Sequence, residues 1–168
     1  MKKFIALLTL LVMIFSLCGC DALEDLFESD PKTFTAGAFS ITLTEDFTKI
    51  KEGEYEEYEG FFAAYKSDYV HVLVLQELYE DIGEEMTLDE YIELSLEVND
   101  MPGKAVKDGE GYRFVTYIEN EDGENMFYRA CYYEGEDGFY VVSFVTPQDN
   151  LDEYGSDFEK WAESVDVG

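Results

Sequence analysis

Phe139-Tyr140-Val141-Val142-Ser143-Phe144-Val145 decides the fold, because the run carries no charge at either its odd or its even positions. A strand made of it has two apolar faces and must be covered on both. At a sheet edge it would invite aggregation, so it belongs in the middle of a sheet. Asp137-Gly138 stands just before the run, and Asp122-Gly123 and Asp108-Gly109 stand further upstream, with apolar stretches between them. Asp-Gly between strand-like residues is a strong hairpin signal, since a type I′ turn needs φ > 0 at both central positions. The pattern predicts a meander of strands near Ala105–Asp108, Tyr112–Glu119, Met126–Glu134 and Phe139–Thr146.

Upstream, Phe39–Leu43, Phe47–Lys51, Gly60–Lys66 and Tyr69–Gln76 read as further strands, with Ser67-Asp68 as a turn. Phe39, Ile41 and Leu43 alternate with Ser40, Thr42 and Thr44, the mark of a half-buried strand. Two capping boxes announce helices. In Thr87-Leu88-Asp89-Glu90, Thr87 can accept from the Glu90 amide while the Glu90 carboxylate returns to the Thr87 amide, and Met86 and Tyr91 can form a hydrophobic staple. Leu88, Ile92 and Leu96 continue that helix, and Pro102-Gly103 ends the segment. Ser156-Asp157-Phe158-Glu159 leads a second stripe of Phe158, Trp161, Ala162 and Val165. Sheet plus helices makes the class α+β, a mostly antiparallel sheet flanked by helices.

The chain's start carries an address. Met1-Lys2-Lys3 is positive, Phe4 to Leu17 is uncharged, and Leu17-Cys18-Gly19-Cys20 leads into acidic sequence. The apolar run is short for a membrane span and has the layout of a secretory leader. Its end resembles the bacterial lipobox, with Leu three residues before a lipid-accepting Cys and a small residue just before it. The resemblance implies cleavage after Gly19, a diacylglycerol thioether on Cys20, and anchoring at the extracytoplasmic face of the cell membrane. Multiple acyl chains hold a protein durably, at roughly 0.8 kcal/mol per buried CH₂. The expected organisation is residues 1–19 as signal peptide, 20–33 as lipidated Cys and acidic tether, and 34–168 as one domain. The acids of the tether would repel an anionic membrane over about a Debye length, roughly 8 Å at physiological salt.

With 39 acidic and 11 basic residues and a formal net charge of −28, the chain lacks the clustered cations that nucleic acid requires. The same balance excludes a basic surface for anionic lipid. Cys131 is the one thiol left in a lipidated mature chain, and its aromatic, strand-like setting reads as a buried inert side chain. His71 is the only histidine. Strand parity sets it with Tyr69, Leu73 and Leu75, and no Gly-x-Ser-x-Gly elbow supports a hydrolase reading.

Two acidic groups invite Ca²⁺, which takes six to eight oxygen ligands. Glu52, Glu54, Glu56, Glu57 and Glu59 form one, and Glu119, Glu121, Asp122 and Glu124 crowd a hairpin loop. Neither has EF-hand spacing, and a solvated acidic surface explains both. Carboxylate pairs for glycoside hydrolysis would have to be selected by separation and burial. Thirteen tyrosines could offer a stacking platform for a glycan or peptide. Tyr112, Tyr128, Tyr132 and Tyr140 alternate within strands, which reads first as core or sheet packing.

Phe39-Ser40-Ile41-Thr42-Leu43, the polar linker closing on Phe47, the paired hairpins, the Thr87-Leu88-Asp89-Glu90-Tyr91 helix start and the terminal Trp161-Ala162-Glu163-Ser164-Val165 together resemble the PsbP-like fold. The resemblance covers Thr33 to Gly168. That group includes DcrB-type bacterial lipoproteins and a Ran-binding import factor. Many members carry Pro-x-Gly-Trp after the first strand, where this chain has Thr44-Glu45-Asp46-Phe47. The resemblance implies a mostly non-enzymatic role and carries over no catalytic residue; together with the lipobox it gives the expectation of a binding or assembly module without a cofactor, meeting an envelope protein or glycan. The competing expectations are a cation-responsive surface domain and, last, a carboxylate hydrolase.

Overall fold

The computed structural model describes residues 30–51, 53, 60–82, 86–101 and 104–168. The expected leader, Cys20, most of the tether, the acids Glu52 to Glu59 and the Pro102-Gly103 stop lie outside the described residues. The elements run β1 (Lys32–Ala36), β2 (Phe39–Leu43), β3 (Thr48–Lys49), β4 (Ala63–Lys66), β5 (His71–Leu78), α1 (Tyr79–Ile82), α2 (Leu88–Val98), β6 (Lys107–Asp108), β7 (Arg113–Glu121), β8 (Glu124–Glu134), β9 (Gly138–Pro147), a 3-10 turn (Gln148–Asn150) and α3 (Leu151–Glu163).

Seven strands form the main sheet in the order β3-β4-β5-β9-β8-β7-β6, and every pairing in it is antiparallel. The charge-free run lies in β9, the fourth of the seven. Its alternation sends Tyr140, Val142 and Phe144 into one apolar layer and Phe139 into the other. In the first layer, Phe158, Trp161 and Ala162 of α3 meet Phe39, Ile41 and Leu43 of the β1–β2 hairpin. In the second, Tyr91, Ile92 and Leu96 of α2 cover Val115, Ala130, Tyr132 and Phe139. Tyr91 stacks on Phe139 with centroids 4.5 Å apart.

The β1–β2 hairpin is a separate two-stranded sheet tied to the end of α3. Ser40 and Asp166 exchange backbone bonds of 2.8 and 3.0 Å. The Ser164 hydroxyl accepts from the Thr42 amide at 3.0 Å and donates to the Thr42 carbonyl at 3.1 Å. Lys32 and Thr33, assigned to the tether by sequence, are the first residues of β1 and pair with Leu43 and Thr42.

The capping box of α2 forms as expected. The Thr87 amide donates to Glu90 Oε2 at 2.9 Å, and the Glu90 amide donates to Thr87 Oγ1 at 3.3 Å. The second capping box does not form, because α3 begins at Leu151 with Asn150 as N-cap and Ser156 lies inside the helix. Leu151 and Tyr154 extend its apolar stripe onto the core, and Asp152 and Glu153 complement the dipole of its first turn. These gains outweigh the cost of Gly155 within the helix, about 1 kcal/mol.

Only one of the three Asp-Gly pairs makes the expected type I′ turn. Asp122 and Gly123 have φ of 51° and 96° between the paired Glu121 and Glu124. The β6–β7 reversal falls one step later, at Glu110-Gly111, with Gly111 at φ 78°. At Gly109 a Cβ would strike the Tyr112 ring, and at Gly138 it would strike the Glu77 carbonyl. Glycine is needed at these two positions for close approach, not for left-handed backbone. Asp137 is held by side chains: its carboxylate accepts from the Tyr140 hydroxyl at 2.9 Å and from Gln76 Nε2 at 3.0 Å.

Candidate functional site

The loop acids fall where β7 turns into β8. Glu119 faces Met126 and Glu121 directly faces Glu124, with Asp122 consumed by the turn. Like charges set directly opposite are mildly unfavourable. Glu121 is used in another way, since the Tyr128 hydroxyl donates to its Oε1. Beside the turn, Glu124 and Asp149 flank a recess of about 300 Å³ that also includes Asn125 and Gln148, joined side chain to side chain at 3.2 Å. Among the described residues no three His, Cys, Asp or Glu side chains converge as a metal site.

Tyr117 and Tyr128 are cross-strand neighbours, stacked at 4.8 Å with an interplanar angle of 2°. Lys104 Nζ lies 5.7 Å from the Tyr117 centroid. Burial, with Glu119 as the next cause, pushes the Tyr117 hydroxyl up to about 12. Burial and the Glu121 carboxylate raise that of Tyr128. Tyr112, Tyr132 and Tyr140 are core residues, as the sequence suggested, so of the four tyrosines singled out only Tyr128 reaches the sheet surface.

Cys131 is fully buried, and desolvation pushes its thiol up to about 12 despite the lowering influence of Arg129. A thiol held neutral is a poor nucleophile. Arg129 lies over the Phe114 ring at 4.0 Å and donates to the Tyr112 hydroxyl at 3.0 Å. The Tyr133 hydroxyl donates to the Ala162 carbonyl at 2.8 Å, pinning α3 to the sheet. His71 is half-buried at the start of β5, opposite Lys66 and Val145. Strand parity sets it on the same face as Leu73 and Leu75. Tyr69 precedes the strand, is 56% exposed, and lies against Tyr154.

Residue-by-residue reading passed over the outer margin of the sheet. β7 has nine residues, and only Arg113 and Phe114 pair with the two-residue β6. Ile118, further along β7, is 47% exposed. Which strand lies at the margin depends on the order of the sheet, and no local pattern in the sequence carries that order.

These features define an α+β protein built on an antiparallel seven-stranded sheet with apolar layers on both faces. No protein-family model matches the sequence, and no curated protein matches it. Among solved structures, a Bacteroides thetaiotaomicron protein is similar with a TM-score of 0.57 and 13% identity over 84% of this chain. The match covers 49% of that protein, so this chain spans about half its length. The cyanobacterial PsbP protein of Synechocystis gives a TM-score of 0.46 and 12% identity, covering 84% of this chain and 94% of that one. The Ran-binding protein Mog1p of Saccharomyces cerevisiae gives 0.48 and 11%, covering 83% and 96%. The likeness to the Bacteroides protein is one of fold alone.

Proposed function

We propose that the protein is a lipid-anchored, extracytoplasmic binding or assembly module without catalytic activity of its own. The observation that carries this reading is the distribution of side chains among the described residues. The thiol of Cys131 and most tyrosine hydroxyls are taken up in packing, whereas large apolar groups face solvent at strand margins and loops (Phe61, Phe62, Tyr69, Val106 and Ile118) and on α2 (Leu94 and Val98). Apolar groups so placed suit contact with another macromolecule better than enclosure of a small substrate. The location rests on Leu17-Cys18-Gly19-Cys20 and the leader before it. Two measurements test the proposal. Metabolic labelling with a clickable fatty acid is expected to mark the membrane-fraction protein and to fail for Cys20→Ala. Site-specific photo-crosslinkers on the outer surface are expected to trap a discrete envelope partner. An unlabelled wild-type protein removes the anchor, and crosslinking that yields no adduct removes the binding role.

A further inference from the structure

We infer that the outer edge of β7 takes an extended basic segment of a partner protein as an additional strand. The inference rests on the binding-module reading and gives it a surface and a partner chemistry. Peptide groups alternate sides along a strand, and two turns fix the phase here. Tyr112 accepts from the Gly109 amide on the β6 side, and Glu121 closes the two-residue turn on the β8 side. The backbone groups of Thr116, Ile118 and Asn120 therefore point away from β8. Among the described residues none pairs with them. The opposite margin differs: β3 covers Tyr65 and Lys66, and the Ile50 amide donates to the Ala64 carbonyl at 2.9 Å.

The side chains beside this edge specify what would fit it. On the α3 face, Phe127 stacks with Phe158 and lies directly across from Ile118, so the apolar layer runs out to the margin and stops in solvent. An added strand with an apolar residue beside Ile118 would continue that layer. On the other face, Tyr117, Glu119 and Glu121 line the same edge, with Glu124 next to them. Tyr117 already has Lys104 near its ring. Lysine or arginine at alternate positions of the added strand would meet carboxylates and an aromatic face there. Strand addition gains affinity from main-chain bonds and selectivity from such alternate side chains. A second copy of this chain is the poorer occupant, because each copy carries a formal charge of −28. The acids that discourage self-pairing thus favour a basic partner.

The test uses the full chain in detergent and a fluorescent peptide alternating lysine and valine. Two further versions of the peptide are N-methylated, each along a different edge. Strand addition predicts that methylating one edge weakens binding by about tenfold or more, while methylating the other leaves it unchanged. Ile118→Lys is expected to weaken the parent peptide as well, with an unchanged circular dichroism spectrum. Equal binding of all three peptides would reduce the interaction to diffuse charge attraction and overturn the inference. So would no binding of the parent peptide, or a concentration-dependent dimer that excludes it. If crosslinking traps an envelope partner equally well with Ile118→Lys, the edge inference fails and the binding-module reading stands. If it traps none with either protein, the reading itself fails.

Discussion

On one side of the main sheet, α3 and the β1–β2 hairpin meet over the central strands; on the other, α2 lies over β7, β8 and β9. The first layer draws residues from Phe34 to Val167, so it brings the two ends of the domain together. The second is drawn mainly from the stretch between Tyr79 and Val141. The first is also dense in large rings: Trp161 lies 5.1 Å from Phe47, 5.7 Å from Phe158 and 6.1 Å from Phe144. A layer that joins distant parts of a chain is lost only when the whole domain unfolds. A layer made by one helix can open while the sheet stays intact.

Cavities cut into each layer in turn should have unequal consequences. Trp161→Ala is expected to cost about 3–5 kcal/mol, read by urea denaturation, with protection lost throughout the sheet. Ile92→Ala is expected to cost about 2–3 kcal/mol, with hydrogen exchange rising first in α2. An equal or larger cost at Ile92, or exchange spread evenly over both layers, would erase the distinction. Thr87→Ala should cost about 1 kcal/mol and act only on the second layer.

The same cap gives a pH signature. The Thr87 backbone bond, followed by its side-chain bond, holds the Glu90 carboxyl below the ordinary value of 4.5. Its folded pKa is depressed, so its contribution to the helix is present above 4.5 and disappears as pH falls through that lower value. Amide exchange in α2 followed on acidification should show the loss; Glu90→Gln should remove this dependence, whereas Thr87→Ala, which keeps the backbone amide, should only reduce it. The smallest effect is expected at the β7–β8 tip. Glu121 and Glu124 stand directly opposite each other there, so Glu124→Lys should add only about 0.2–1 kcal/mol of stability, read by urea denaturation.

The middle of the sheet was legible because it depends on composition. Phe139 to Val145 carries no charged side chain, which keeps the run away from the sheet margins, and β9 does lie in the interior, as the fourth of seven strands. The Thr87 cap was legible because both partners lie within one turn of helix. The start of α3 was not, since Gly155-Ser156 locally favours a helix boundary and only tertiary burial of Leu151 and Tyr154 overrides it. β1 was missed because only Phe34 of its five residues is buried, which leaves no alternation to read. The hairpins of Asp108-Gly109 and Asp137-Gly138 were placed to within a residue or so, but the reason for their glycines was steric. Of the candidate surface, the acids and tyrosines were visible as residues. Their gathering along an open margin was a property of strand order.

The place of β9 between β5 and β8 also sets the order in which the domain can be made. His71 pairs with Val145, so β5 waits until the last quarter of the chain has been synthesised before its second neighbour exists. Contacts so distant in sequence are slow to close. A chain that stops before Gly138 lacks the strand that joins β3–β4–β5 to β6–β7–β8. Neither half can be finished alone, and a chain truncated before Gly138 should accumulate as aggregate instead of a smaller folded protein.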